Sequence, residues 1–146
     1  MPAPQTNAIL QAALVDLIDL SLLAKQAHWN VRGTNFRSVH LELDEVIDQV
    51  RVNSDDVAER LAAVGGSPDG RAATVAATTN VPTIEPGPVA APVVVSEFAK
   101  RIWEASRRIE EKLTELDTDM PSQDLLIEVV AGLDKAAWML RSQIEP

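Results

Sequence analysis

LLAKQAHWNVRGTNFRSVHLELDEVIDQVRVNSDDVAERLAAVGG, residues 22–66, contains both histidines of the chain and its longest regular hydrophobic stripe. Val39, Leu43, Val46, Ile47, Val50, Val57, Leu61 and Val64 recur at the three-four spacing that lines up apolar side chains on one face of an α-helix. Asn35 stands before the stripe and Gly65-Gly66 after it, which supplies a cap at each end. A helix of roughly 28 residues rises about 40 Å at 1.5 Å per residue, long for a small domain.

Working outward, Leu10, Ala13, Leu14, Leu17 and Ile18 carry the same spacing, so a first helix is expected from about residue 7 to the neighbourhood of Gly33, with Thr6 or Asn7 as its cap. After Gly66 the periodicity fails. Pro68, Pro82, Pro86, Pro88 and Pro92, with Gly70 and Gly87, forbid long regular structure, though a short helix over residues 71–77 fits. A third stripe, Phe98, Ile102, Ala105, Ile109, Leu113 and Leu116, starts after Ser96 and ends near Asp117. Pro121 suits the first turn of a fourth helix with the stripe Leu125, Val129, Leu133, Ala136 and Leu140. A connection as long as the one between the second and third helices belongs to a bundle whose crossover runs the bundle's full length. The expected class is all-α, one four-helix domain over residues 1–146, with the first helix paired to the second and the third to the fourth.

Composition narrows the chemistry. Without cysteine there is no disulfide, thiolate site or Cys nucleophile. The opening MPAPQTN has no basic residue ahead of an apolar stretch, which argues against a secretory signal, and Asp16 and Asp19 interrupt the most apolar segment. A cytoplasmic protein with no membrane span is expected. The formal net charge of −9 repels polyanions.

The candidate site residues lie on the hairpin formed by the first two helices. His28 and His40 flank the short connection through Gly33, close together in any antiparallel pair. Asp44 follows His40 by four residues and shares its helix face; Asp55 and Glu59 form a second pair, also four apart. Either pair alone reads as a solvated face or a local ion pair. Their alignment is the informative feature: the 11 residues from Asp44 to Asp55 make three turns, within about 20° of one face and about 16 Å along the axis. No single ion reaches both pairs in one chain, because ligand atoms must lie about 2.0–2.2 Å from it. Two copies of the second helix packed antiparallel about a two-fold axis near Gln49 and Val50 would bring the pairs together and create two identical sites. Nitrogen and carboxylate ligands with open positions suit non-haem iron better than Mg²⁺ or Ca²⁺.

The segment AKQAHWNVRG, the interval from His28 to His40, Asp44 and DDVAERLAAVGG resemble the Dps family of miniferritins, within the ferritin-like superfamily; LDKAAWML, residues 133–140, resembles the family's final-helix motif. The resemblance covers nearly the whole chain. It implies a ferritin-like four-helix bundle whose long second-to-third crossover carries a short helix, assembled as a dodecamer with two-fold contacts through the second helix. It further implies a ferroxidase centre with metal ligands His28, His40 and Asp44 from one subunit and Asp55 and Glu59 from a mate. Fe(II) would be oxidised, preferentially by hydrogen peroxide, and stored as ferric mineral, protecting against oxidative stress. By the same resemblance Trp29 is a candidate catalytic electron donor, with a packing aromatic as its plain alternative, and Asp119, Asp124 and Glu128 are candidates for an iron-admitting pore. Trp138 is expected to be structural, and Lys25 and Arg60 either to pair with a ligand carboxylate or to cover apolar surface. The family's DNA-binding members use basic tails, which this sequence lacks, so little DNA binding is expected. A conventional ferritin or bacterioferritin would need Glu three residues before its histidines, where Lys25 and Arg37 stand. A non-enzymatic helical scaffold with surface acids is the remaining alternative, separable by particle size.

Overall fold

The computed structural model describes residues 4–146. Its helices are α1 (Pro4–Asn30), α2 (Phe36–Ala63), α3 (Ala72–Thr78), α4 (Ala91–Glu110) and α5 (Met120–Arg141), with a 3₁₀ turn at Leu113–Leu116. α1 packs along α2 and α4 along α5, and the two hairpins enclose one core. Leu10, Leu17 and Leu20 of α1, Leu43, Ile47 and Leu61 of α2, Phe98 and Ile102 of α4, and Leu126, Leu133 and Leu140 of α5 are all fully buried. Burying each such side chain contributes about 1.5–3 kcal/mol, which is what holds four amphipathic helices together.

The stripe on α2 ends as the glycines require. Gly65 sits at φ 88, its N–H bonded to the Ala62 carbonyl, and the Gly66 N–H bonds to that of Leu61, a Schellman closure. Asn35 occupies the cap position at the other end in a left-handed conformation (φ 68), but its side chain makes no capping bond. Thr6 and Asn7 are not caps, since α1 is already helical at Pro4. α4 begins at Ala91, several residues before Ser96: Pro92 lies in the first turn, where its missing N–H is not needed, and buried Val94 and Val95 extend the Phe98–Ile102 stripe backwards. α4 also stops at Glu110, and the chain tightens into the 3₁₀ turn that keeps Leu116 in the core.

The crossover is tied to α1 by polar side chains. Gln11 exchanges two hydrogen bonds with the Asp69 backbone, the Thr79 hydroxyl donates to Asp19, and the Asn80 N–H donates to Asp16. Asp16 is 4% exposed and also pairs with Arg108 at 2.8 Å. These acids interrupt the apolar run because they hold the crossover. Among the described residues α1 is the one helix long and apolar enough to cross a membrane, yet 56% of its most apolar window is buried inside the bundle. A two-residue parallel pairing, β1 (Val31–Arg32) with β2 (Val89–Ala90), was not anticipated; it joins the α1–α2 turn to the end of the crossover.

Candidate metal centre

The α1–α2 turn places His28 in the last turn of α1 and His40 in the second turn of α2. His28 is 6% exposed. His28 Nδ1 lies 2.6 Å from the His40 carbonyl, and His40 Nδ1 lies 2.7 Å from the His28 carbonyl. A carbonyl only accepts, so each Nδ1 carries the proton and each Nε2 keeps its lone pair, the tautomer a metal ligand needs. The rings stack at 3.6 Å and 12°, and Phe36 stacks on the other side of His40 at 4.9 Å. Sequence reasoning missed Phe36, although it stands four residues before His40 on the same helix face.

Asp44 adjoins the pair, with Oδ2 3.6 Å from His28 Nε2 and Oδ1 accepting from Lys25 Nζ at 2.7 Å. The hydrogen bond from Lys25, aided by the Lys25 charge, outweighs the smaller opposing effect of burial and holds its carboxyl below the usual carboxylate range. Two donors 3.6 Å apart, each about 2.1 Å from one ion, subtend an angle of roughly 120°, an ordinary coordination angle.

Asp55 and Glu59 are exposed on the same side of α2 and, among the described residues, have no hydrogen-bond or ion-pair partner. Among the described residues no three His, Asp or Glu side chains gather closely enough to hold one ion. The chain thus offers two partial ligand sets about 16 Å apart along one helix. Midway between them, Val50 is fully buried and Gln49 points its amide towards Gly132, so neither faces outward as a contact residue. The outward side chains of that turn are Asp48, Arg51 and Val52, the last 61% exposed.

Of the acids at the start of α5, Asp124 and Glu128 are exposed. Asp119 is instead the N-cap of α5 and the partner of Arg60 at 2.9 Å. Burial pushes the Asp119 carboxyl up, but bonds from the Ser122 hydroxyl and N–H and from Arg60 outweigh it and leave the carboxyl below its ordinary value. Trp29 is 68% exposed beside His28. Trp138, expected to be structural, is 53% exposed on α5 and is no part of this chain's core, because its position turns away from the Leu133–Leu140 stripe.

A family model for the ferritin-like domain matches residues 7–146. The DNA protection during starvation protein of Mycolicibacterium smegmatis is 36% identical over 140 residues, covering 94% of this chain and 75% of that one. This chain belongs to the Dps family of ferritin-like proteins. DNA protection during starvation protein 2 of Deinococcus radiodurans is 34% identical over 137 residues, 93% of this chain, and this chain spans 57% of that longer relative. The solved structure of Dps from Microbacterium arborescens in its high iron form superposes with a TM-score of 0.86 at 31% identity, covering 99% of this chain and 97% of that one. The four-helix fold and its crossover are therefore those of Dps proteins.

Proposed function

We propose that this Dps protein is a ferroxidase that oxidises Fe(II), preferentially with hydrogen peroxide, at centres shared between two chains, and stores the ferric product inside a dodecameric shell. The observation that carries the reading is the mutual locking of His28 and His40, which leaves both Nε2 atoms unused by the fold, that of His28 3.6 Å from an Asp44 oxygen. The iron named for the Microbacterium arborescens relative supports the same substrate.

The stacking adds a mechanistic step. In parallel rings each Nε2 lone pair lies in its own ring plane, so the two nitrogens serve neighbouring positions and not one ion. The 3.6 Å between the ring centroids is close to the roughly 3.5–4 Å between ions in two-metal centres. Two Fe(II) side by side deliver the two electrons that hydrogen peroxide accepts: two Fe(II), one peroxide and two protons give two Fe(III) and two waters, and no hydroxyl radical is released. Carboxylates of Asp44, and of Asp55 and Glu59 from the mate, offset the added positive charge. Trp29, exposed beside His28, is the electron donor should only one iron be present. Asp124 and Glu128 concentrate cations at the entrance through their field.

The test follows Fe(II) oxidation after peroxide addition in the native protein, His40→Ala and Asp55→Ala, each checked for assembly by light scattering. Both variants are expected to assemble and to lose at least about tenfold in rate. Native-like oxidation in either assembled variant would contradict the reading.

A further inference from the structure

Glu59 and Asp55 have no partner among the described residues to fix them, so their placement depends on how firmly the end of α2 is held. α2 stops at Ala63, one turn beyond Glu59, where helices fray. Beside Glu59, Arg60 reaches across to α5: its Nε donates to the Ser122 hydroxyl and its Nη2 to Asp119 Oδ1, both at 2.9 Å. The Ser122 hydroxyl in turn donates to Asp119 Oδ2 at 2.6 Å, and Ser122 is completely buried. The triangle is closed, with each group satisfied by the other two. A cap for α5 needs only Asp119 and Ser122; the arm from a residue 59 positions away ties two helices together.

We propose that Arg60, gripped by Asp119 and Ser122, is a positioning residue that fixes the Asp55–Glu59 pair by bracing the last turns of α2 against the start of α5. The proposal rests on reading Asp55 and Glu59 as ligands. The planar guanidinium makes two directed bonds at once, which an ammonium on a flexible stem does not reproduce. Asp119, engaged in this way, is withdrawn from any pore lining.

The test uses assembled shells of Arg60→Met, Arg60→Lys and the native protein, with Co(II) as a non-oxidised probe in calorimetry and Fe(II) plus peroxide for kinetics. Arg60→Met is expected to weaken Co(II) binding and raise the half-saturating Fe(II) concentration by about 10-fold, the usual loss when a group supporting a metal ligand is removed, while the maximal rate stays within about twofold. Arg60→Lys restores part of the affinity. Co(II) binding by Arg60→Met within about twofold of native overturns the proposal. Should Arg60→Met fail to assemble, Asp119→Asn is read by the same two thresholds, since it keeps shape and loses the charge. A native protein that neither binds Co(II) nor oxidises Fe(II) overturns the ligand assignment itself, and the brace with it.

Discussion

His28 and His40 fix each other through main-chain carbonyls, so replacing either one removes a ligand and also frees the ring of the other. Lys25 is the residue whose role is most easily measured. Its ammonium holds Asp44 at 2.7 Å and competes with any cation approaching that carboxylate. Lys25→Met is expected to tighten Co(II) binding severalfold in calorimetry; weaker binding would show that Lys25 orients the carboxylate and does not compete for it. Metal ligands must be deprotonated, so loading is expected to weaken as pH falls, while Lys25 keeps the Asp44 carboxyl ionised to lower pH than an ordinary carboxyl. Spacing singled out the histidines, Asp44 and the distant acid pair as candidates, and the structure stacks the two imidazoles and sets Asp44 beside His28. The carbonyl partners of the imidazoles were not legible in the sequence, because a bond from one helix to the backbone of another leaves no pattern along the chain. For the same reason sequence reasoning left Lys25 and Arg60 each with two roles, and the structure gives one to Asp44 and the other to Asp119.

At the scale of elements, apolar periodicity and glycine placement located α2 almost to the residue, since a 28-residue stripe and a Gly65-Gly66 stop act together. Gly65→Ala puts a side chain on a left-handed backbone at φ 88 and is expected to destabilise the protein by about 1 kcal/mol, read as a lower midpoint in chemical denaturation. An unchanged midpoint would mean that the end of α2 relaxes freely. The start of α4 was misplaced because Pro92 reads as a breaker in a proline-rich segment and is neutral in a first turn. The crossover's attachments to Asp16, Asp19 and Gln11 were illegible, as they join residues about 60 positions apart. Burial, chiefly, pushes the Asp19 carboxyl up, with Asp16 adding to this and the Thr79 hydroxyl opposing it.

For the whole molecule, Asp119 and Asp134 belong to the larger set of carboxyls held below their ordinary values, against Asp19 and Glu42, which burial raises. Burial also pushes the Asp119 and Asp134 carboxyls up, but Ser122 and Arg60 for the first, and Ser106 and Arg107 for the second, bring each below its ordinary value. A depressed folded-state pKa contributes stability above the unfolded value, about 3.9, and loses it as pH falls through the lower folded value. Denaturation midpoints are therefore expected to hold from pH 7 to about 5 and to fall below about pH 4, less steeply in Asp119→Asn. A formal charge of −9 on every chain repels DNA, and a gel-shift with the assembled particle is expected to show no retention at moderate salt. The proposed shell of twelve 15.8 kDa chains is expected to weigh about 190 kDa by light scattering.

The sharing of each centre between two chains is tested most directly by co-expressing His40→Ala/Asp44→Ala chains with Asp55→Ala/Glu59→Ala chains. In a two-fold pair with one chain of each kind, one site inherits both defects and the other inherits neither. Random pairing then restores about a quarter of the native Fe(II) oxidation, where shells of either variant alone have almost none. Mixed shells as inactive as the two parents would place every centre within a single chain and contradict the account.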